Sequence, residues 1–100
     1  FLDPNNNPKY LIKSAENKIN HVNRIIKHPN KRFESIDFLN RANKNLEKAN
    51  EMLQAKNDSL SIEKNSQEII KNNTIIASNI LKLDENNARL EKIEGLGTSL

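Results

Sequence analysis

IIKNNTIIASNILKL, residues 69–83, is the stretch on which the fold turns. On a helical wheel its apolar side chains fall on three sides: Ile76, Ile80 and Leu83 on one, Ile69, Ala77 and Leu81 on a second, Ile70 and Ile75 on a third. A helix at the edge of a small bundle needs one broad apolar arc. This pattern therefore predicts a helix that is central, or that covers something besides its own bundle, such as a second chain or a lipid. The helix is expected to start at Ser61 and run to about Glu94, where Gly95 and Gly97 stop it. Through it runs a second regularity. Asn65, Asn72, Asn79 and Asn86 recur every seven residues, interleaved with Ile62, Ile69, Ile76, Leu83 and Leu90 in the manner of a heptad seam. Buried Asn at such positions can fix register and oligomeric state at a cost in stability. A chain with 18 Asn in 100 residues produces such spacings by chance, and the series is assigned to composition.

Upstream, Leu39, Ala42, Leu46, Ala49 and Leu53 share one stripe, flanked by Ile36 and Phe38, and predict an amphipathic helix over about 32–57. The stripe reaches Leu60, but the polar run Lys56-Asn57-Asp58-Ser59 predicts a break before the third helix. The first helix is expected over about 9–28. Asn7 is placed to cap it and Pro8 to open it, where a missing N–H costs nothing. Leu11, Ile12, Ala15, Ile19, Val22, Ile25 and Ile26 form its apolar arc, and Pro29 ends it. The reading is all-α: one three-helix, bundle-like domain over 9–94 with the third helix longest, a flexible lead over 1–8, a flexible tail over 95–100, and a surface compatible with a homodimer.

Composition narrows the chemistry. With no Cys there is no disulfide framework, thiolate nucleophile or Cys-ligated metal. His21 and His28 lie two helical turns apart, too far for a helical metal pair, and no Gly-rich phosphate loop is present. Asp84 with Glu85, and Glu91 with Glu94, sit without a His or a nucleophile nearby, so no metal, cofactor or catalytic residue is expected and the domain is read as non-enzymatic. Aromatic residues, at 4%, are too few for the stacking platforms of single-strand nucleic-acid binders. No run of 18 or so apolar residues spans a bilayer, and the chain reads as a soluble domain of a larger protein.

The net charge of +3 hides a gradient. Residues 1–33 carry seven Lys/Arg against Asp3 and Glu16, whereas residues 58–100 carry five against seven acids. Opposite the apolar arc of the first helix, Lys9, Lys13, Arg24 and Lys27 form a basic stripe that continues through Lys31 and Arg32. These six are the candidate lipid-headgroup residues. Ile69, Ile70, Ile75, Ile76, Ile80 and Leu81 are the candidates for apolar contact, whether with an acyl chain or a second copy.

The Asn/Lys/Ile bias of KYLIKSAENKINHVNRIIKH and QEIIKNNTIIASNILKLDENN, together with the helical layout, resembles the soluble C-terminal domains of the "upregulated in infective sporozoites" proteins of malaria parasites. That resemblance covers the whole chain and carries no residue-by-residue motif. It implies an all-α domain of a single-span protein of the parasitophorous vacuole membrane, facing the host cytosol in the liver stage. Phospholipid and the host liver fatty-acid-binding protein are the partners it implies. A second likeness points to protein recognition: Ser66-Gln67-x-Ile69 and Ile76-Ala77-Ser78-x-Ile80-Leu81 are similar to the membrane-distal half of a SNARE motif. There the match departs, with Asn87 where a central Gln belongs and Leu83 one residue out of phase. Phospholipid binding is the function expected from these readings, with a coiled-coil or SNARE-like interaction module as the alternative.

Overall fold

A computed structural model describes residues 6–98. It contains α1 (Pro8–Ile25), a short 3-10 turn (Pro29–Lys31), α2 (Arg32–Ser59) and α3 (Ile62–Thr98), with no strand among the described residues. The all-α, three-helix reading holds, and α3 is the longest helix.

Each boundary has a local cause. The Asn7 side chain accepts a hydrogen bond from the Lys9 N–H at 3.0 Å, and Pro8 occupies the first turn of α1. At the other end α1 stops at Ile25, three residues before the expected end at His28, because Pro29 forces His28 into extended backbone at φ −92°, ψ 115°. The expected break between α2 and α3 is present: Leu60 is extended (φ −94°, ψ 143°), and α3 resumes at Ile62. Within the first turn of α3, Asn65 leaves helical geometry (φ −126°, ψ 24°) and bends the helix. The glycine stop at Glu94 is not realised. Helix continues through Gly95 and Gly97 to Thr98, and no glycine among the described residues has a positive φ, so no left-handed cap forms. Of the expected flexible ends, residues 1–5, 99 and 100 lie outside the described residues.

The order of the helices in space departs from expectation. The central helix is α2, which packs on α1 along one side and on α3 along another, while α1 and α3 scarcely touch. The apolar core is centred on α1 and α2 and takes side chains from all three helices. Ala15, Ala42 and Leu46 form one fully buried cluster with Ile19 and Leu83 against it, and Val22, Leu39 and Ile93 form a second, flanked by Ile36, Phe38 and Leu90. Paired alanines at 15 and 42 let the two helix axes approach closely. His21 adds a polar tie, with Nε2 3.1 Å from Glu34 Oε2 and its ring 4.6 Å from that of Phe38.

Between α2 and α3 the interface is of another kind. Asn72, Asn79 and Asn86 are buried, and each donates its side-chain amide to an Asn of α2: Asn72 to Asn57 at 2.8 Å, Asn79 to Asn50 at 2.8 Å, Asn86 to Asn43 at 2.9 Å. Two of the acceptors pass the hydrogen bond on, Asn57 to Asn73 at 2.9 Å and Asn43 to Asn87 at 3.0 Å. The heptad Asn series is therefore a structural seam and not a by-product of composition, except at Asn65, which lies beyond the end of α2. The pairing matters because an unpaired amide in a dry interface costs about 1–3 kcal/mol.

The assembly is long and thin, 56 × 29 × 17 Å, with a radius of gyration of 16.1 Å. A compact chain of this length has a radius near 13 Å by the usual scaling. The bundle is closer to a slab than to a sphere.

Candidate functional site

Residues of the N-terminal half of α1, of α2 and of α3 line a groove of about 960 Å³. Its apolar lining includes Ile12 of α1, Leu53 of α2 and Ile75 of α3. Pro8 and Tyr10 also line it. Around this apolar floor stand four lysines, Lys9 and Lys13 from α1 and Lys71 and Lys82 from α3. One carboxylate, Glu16, is among the lining residues and is paired with Lys82 at 3.0 Å, the two side chains 42% and 29% exposed. That ion pair bridges α1 and α3. It leaves three lysines of the rim without a carboxylate among the groove residues. The site can accept an amphiphile whose negative head meets the lysines and whose apolar part lies along Ile12, Leu53 and Ile75.

The sequence-derived candidates divide among several places. Lys9 and Lys13 belong to the groove, whereas Arg24, Lys27, Lys31 and Arg32 gather at the other end of α1, around the turn into α2. There the Arg32 guanidinium sits 5.2 Å from the centre of the exposed Phe33 ring. The six cations are thus divided between the two ends of α1. Of the apolar candidates, Ile75 enters the groove. Ile76 and Ile80 line a smaller cleft of about 450 Å³ on the other side of the α2–α3 pair, opposite Glu47 and Glu51. Ile69 is half-buried, and Ile70 and Leu81 are open to solvent at 64% and 65% exposure. With Ile80, also exposed, they are apolar surface of α3 that the other helices leave uncovered.

Sequence reasoning does not single out Lys71, Lys82 and Glu16, because their contribution depends on which side of α3 turns towards α1. A partial signal exists: Lys71, Ile75, Ser78 and Lys82 follow one another at three- and four-residue spacing on one face of α3. The remaining titratable groups offer no reactive cluster. Asp84, Glu85, Glu91 and Glu94 are exposed, and no group of three His, Cys, Asp or Glu side chains among the described residues could hold a metal ion. No helix among them is long and apolar enough to cross a membrane.

Compared with known protein families, curated proteins and solved structures, the chain matches none.

Proposed function

We propose that this is a non-enzymatic phospholipid-binding domain whose ligand site is the α1–α3 groove. The observation that carries this reading is the juxtaposition of four lysines with an apolar floor between two helices that otherwise hardly meet. Each Lys or Arg near an anionic lipid surface contributes about 1 kcal/mol at low salt. The groove also gives the acyl chain a place that a solvated basic face lacks. Placement in the parasitophorous vacuole membrane, and capture of a host fatty-acid carrier, belong to the same proposal and rest on the sequence resemblance.

The test is co-sedimentation with neutral and anionic phospholipid vesicles. Anionic vesicles should bind the protein and neutral ones bind it less. Lys13→Glu with Lys71→Glu should weaken anionic binding at least about tenfold, the effect of losing two such contacts. Lys27→Glu with Lys31→Glu, outside the groove, should change it much less. Equal loss from both pairs would mean that only net charge matters and that the groove is not the site.

A second reading, a helical protein-interaction module, is favoured by one observation: Ile70, Ala77 and Leu81 are exposed along the outer side of α3. Binding of that kind would be indifferent to lipid headgroup charge and would be lost in Leu81→Asp.

A further inference from the structure

The amide seam is incomplete at its middle rung. Its rungs, Asn43–Asn86, Asn50–Asn79 and Asn57–Asn72, follow one antiparallel register, which also sets Leu46 opposite Leu83 and Leu53 opposite Ile76. At the two outer rungs the α2 amide passes a hydrogen bond on to the next residue of α3, Asn43 to Asn87 and Asn57 to Asn73. The equivalent position at the middle rung is residue 80, which is Ile. The side-chain N–H groups of Asn50 therefore have no acceptor among the described residues, although its Oδ1 accepts from Asn79. Asn50 and Ile80 both line the smaller cleft of about 450 Å³, which shares no residue with the lysine-rimmed groove.

The walls of this cleft are two matched rows. Glu47, Glu51 and Gln54 follow one another along α2 at four- and three-residue spacing, and Leu83, Ile80 and Ile76 run beside them on α3 in the opposite chain direction. One row is acidic or polar and the other aliphatic, and each is two turns, about 10 Å, long. Neither carboxylate belongs to an ion pair among the described residues, and no Lys or Arg lines the cleft. Ile80 is 46% exposed. We infer that this cleft docks a cationic amphipathic helix of a partner protein. Its apolar side lies on Ile76 and Ile80, its Lys or Arg side beside Glu47 and Glu51, and an Asn or Gln between the two accepts the Asn50 N–H for which Ile80 offers nothing. A trough between two antiparallel helices fits a third helix, whose side chains repeat at the same three- and four-residue spacing. Charge selects this occupant over others. Glu47 and Glu51 repel anionic headgroups and nucleic acid, and a second copy docked cleft to cleft would bring the same carboxylates of both copies together. The chain as a whole carries a net charge of +3, so attraction of a cationic helix is a property of this patch and not of the molecule at large. The amide adds selectivity, because an Asn50 donor covered by a purely apolar side chain would lose its water without gaining an acceptor.

The experiment uses the whole chain and a synthetic Leu/Lys/Ala peptide of about 18 residues, long enough to form helix, with Leu along one face, Lys along the next and a single central Gln on the border between them. Calorimetry should show binding, and the backbone amide shifts that accompany it should fall on residues 47–54 and 76–83. Glu47→Gln with Glu51→Gln, both at exposed positions, should weaken binding at least about tenfold and leave the denaturation midpoint in place. Exchanging the peptide's Gln for Leu should cost about fivefold, the effect of one hydrogen bond. Ile80→Asn, which supplies the amide within the chain as Asn73 and Asn87 do, should erase that preference. Asn50→Asp keeps the acceptor for Asn79 and removes the donor, and should erase it too if Ile80→Asn disturbs the fold. Equal binding of a scrambled peptide of the same composition, or of one with Glu in place of Lys, would overturn the inference. So would shifts centred on Ile70 and Leu81, a Gln preference that survives both variants, or no binding at about millimolar peptide.

Discussion

The two sides of α2 solve the same problem in opposite ways. Towards α1 it presents Leu39, Ala42 and Leu46, all without exposed surface, against Ala15 and Val22, and the two leucines also reach Leu83, Leu90 and Ile93 of α3. Towards α3 every other layer is an amide pair. The apolar side obtains its stability from burial, at about 25 cal/mol per Å², and tolerates small adjustments of register. The amide side contributes less, because each hydrogen bond replaces one with water and nets only about 1 kcal/mol. What it adds is intolerance of error: sliding α3 by three or four residues, to the next seam position, would leave Asn43, Asn50 and Asn57 opposite aliphatic side chains. One helix thus carries a stabilising face and a register-setting face.

Several substitutions would break that contrast or sharpen it. Leu46→Ala should have the largest effect, about 3 kcal/mol, because it removes a fully buried side chain shared by α1, α2 and Leu83. Chemical denaturation measures it, and a loss below about 1 kcal/mol would mean that the apolar side is not the stabilising one. Asn79→Leu alone should cost about 1–3 kcal/mol by leaving Asn50 without its partner. Combining it with Asn50→Leu should recover that loss or exceed it, since a matched apolar layer is at least as stable as a matched amide layer. The double variant should also lose uniqueness, visible as extra oligomeric species on size exclusion; a double variant as uniform as the wild type would remove the register role. At the small end, Glu34→Gln should cost less than about 1 kcal/mol, because both members of its pair with His21 are about a third or more exposed and water screens them.

Much of this architecture is legible in the sequence. The apolar arc of α1, the cap at Asn7, the stop at Pro29 and the break after Ser59 follow from local rules. Legibility fails where two distant segments have to be read together. The Asn series in α3 is visible, but its meaning depends on Asn43, Asn50 and Asn57 standing opposite, and composition alone offers a simpler explanation. Once the α2 residues are written backwards beside those of α3, leucine meets leucine or isoleucine and asparagine meets asparagine, a correlation that composition does not produce. The groove is less legible still, since Lys9 and Lys13 meet Lys71 and Lys82 only after α3 has chosen which face to bury. Choosing amides over isoleucines for that face runs against the hydrophobic ranking used to predict it.

The slab shape bears on how the molecule responds to temperature. The folded chain exposes 7199 Å², whereas a compact protein of its mass exposes about 5,800 Å². Against an unfolded surface of roughly 16,700 Å², it therefore buries about an eighth less than a sphere-like domain of equal length would. The heat-capacity change on unfolding follows buried apolar area, and part of what is buried here is amide, which lowers that change further. The curve of stability against temperature should accordingly be shallow. Melting should spread over a wide interval, and the fold should lose little of its modest stability on cooling.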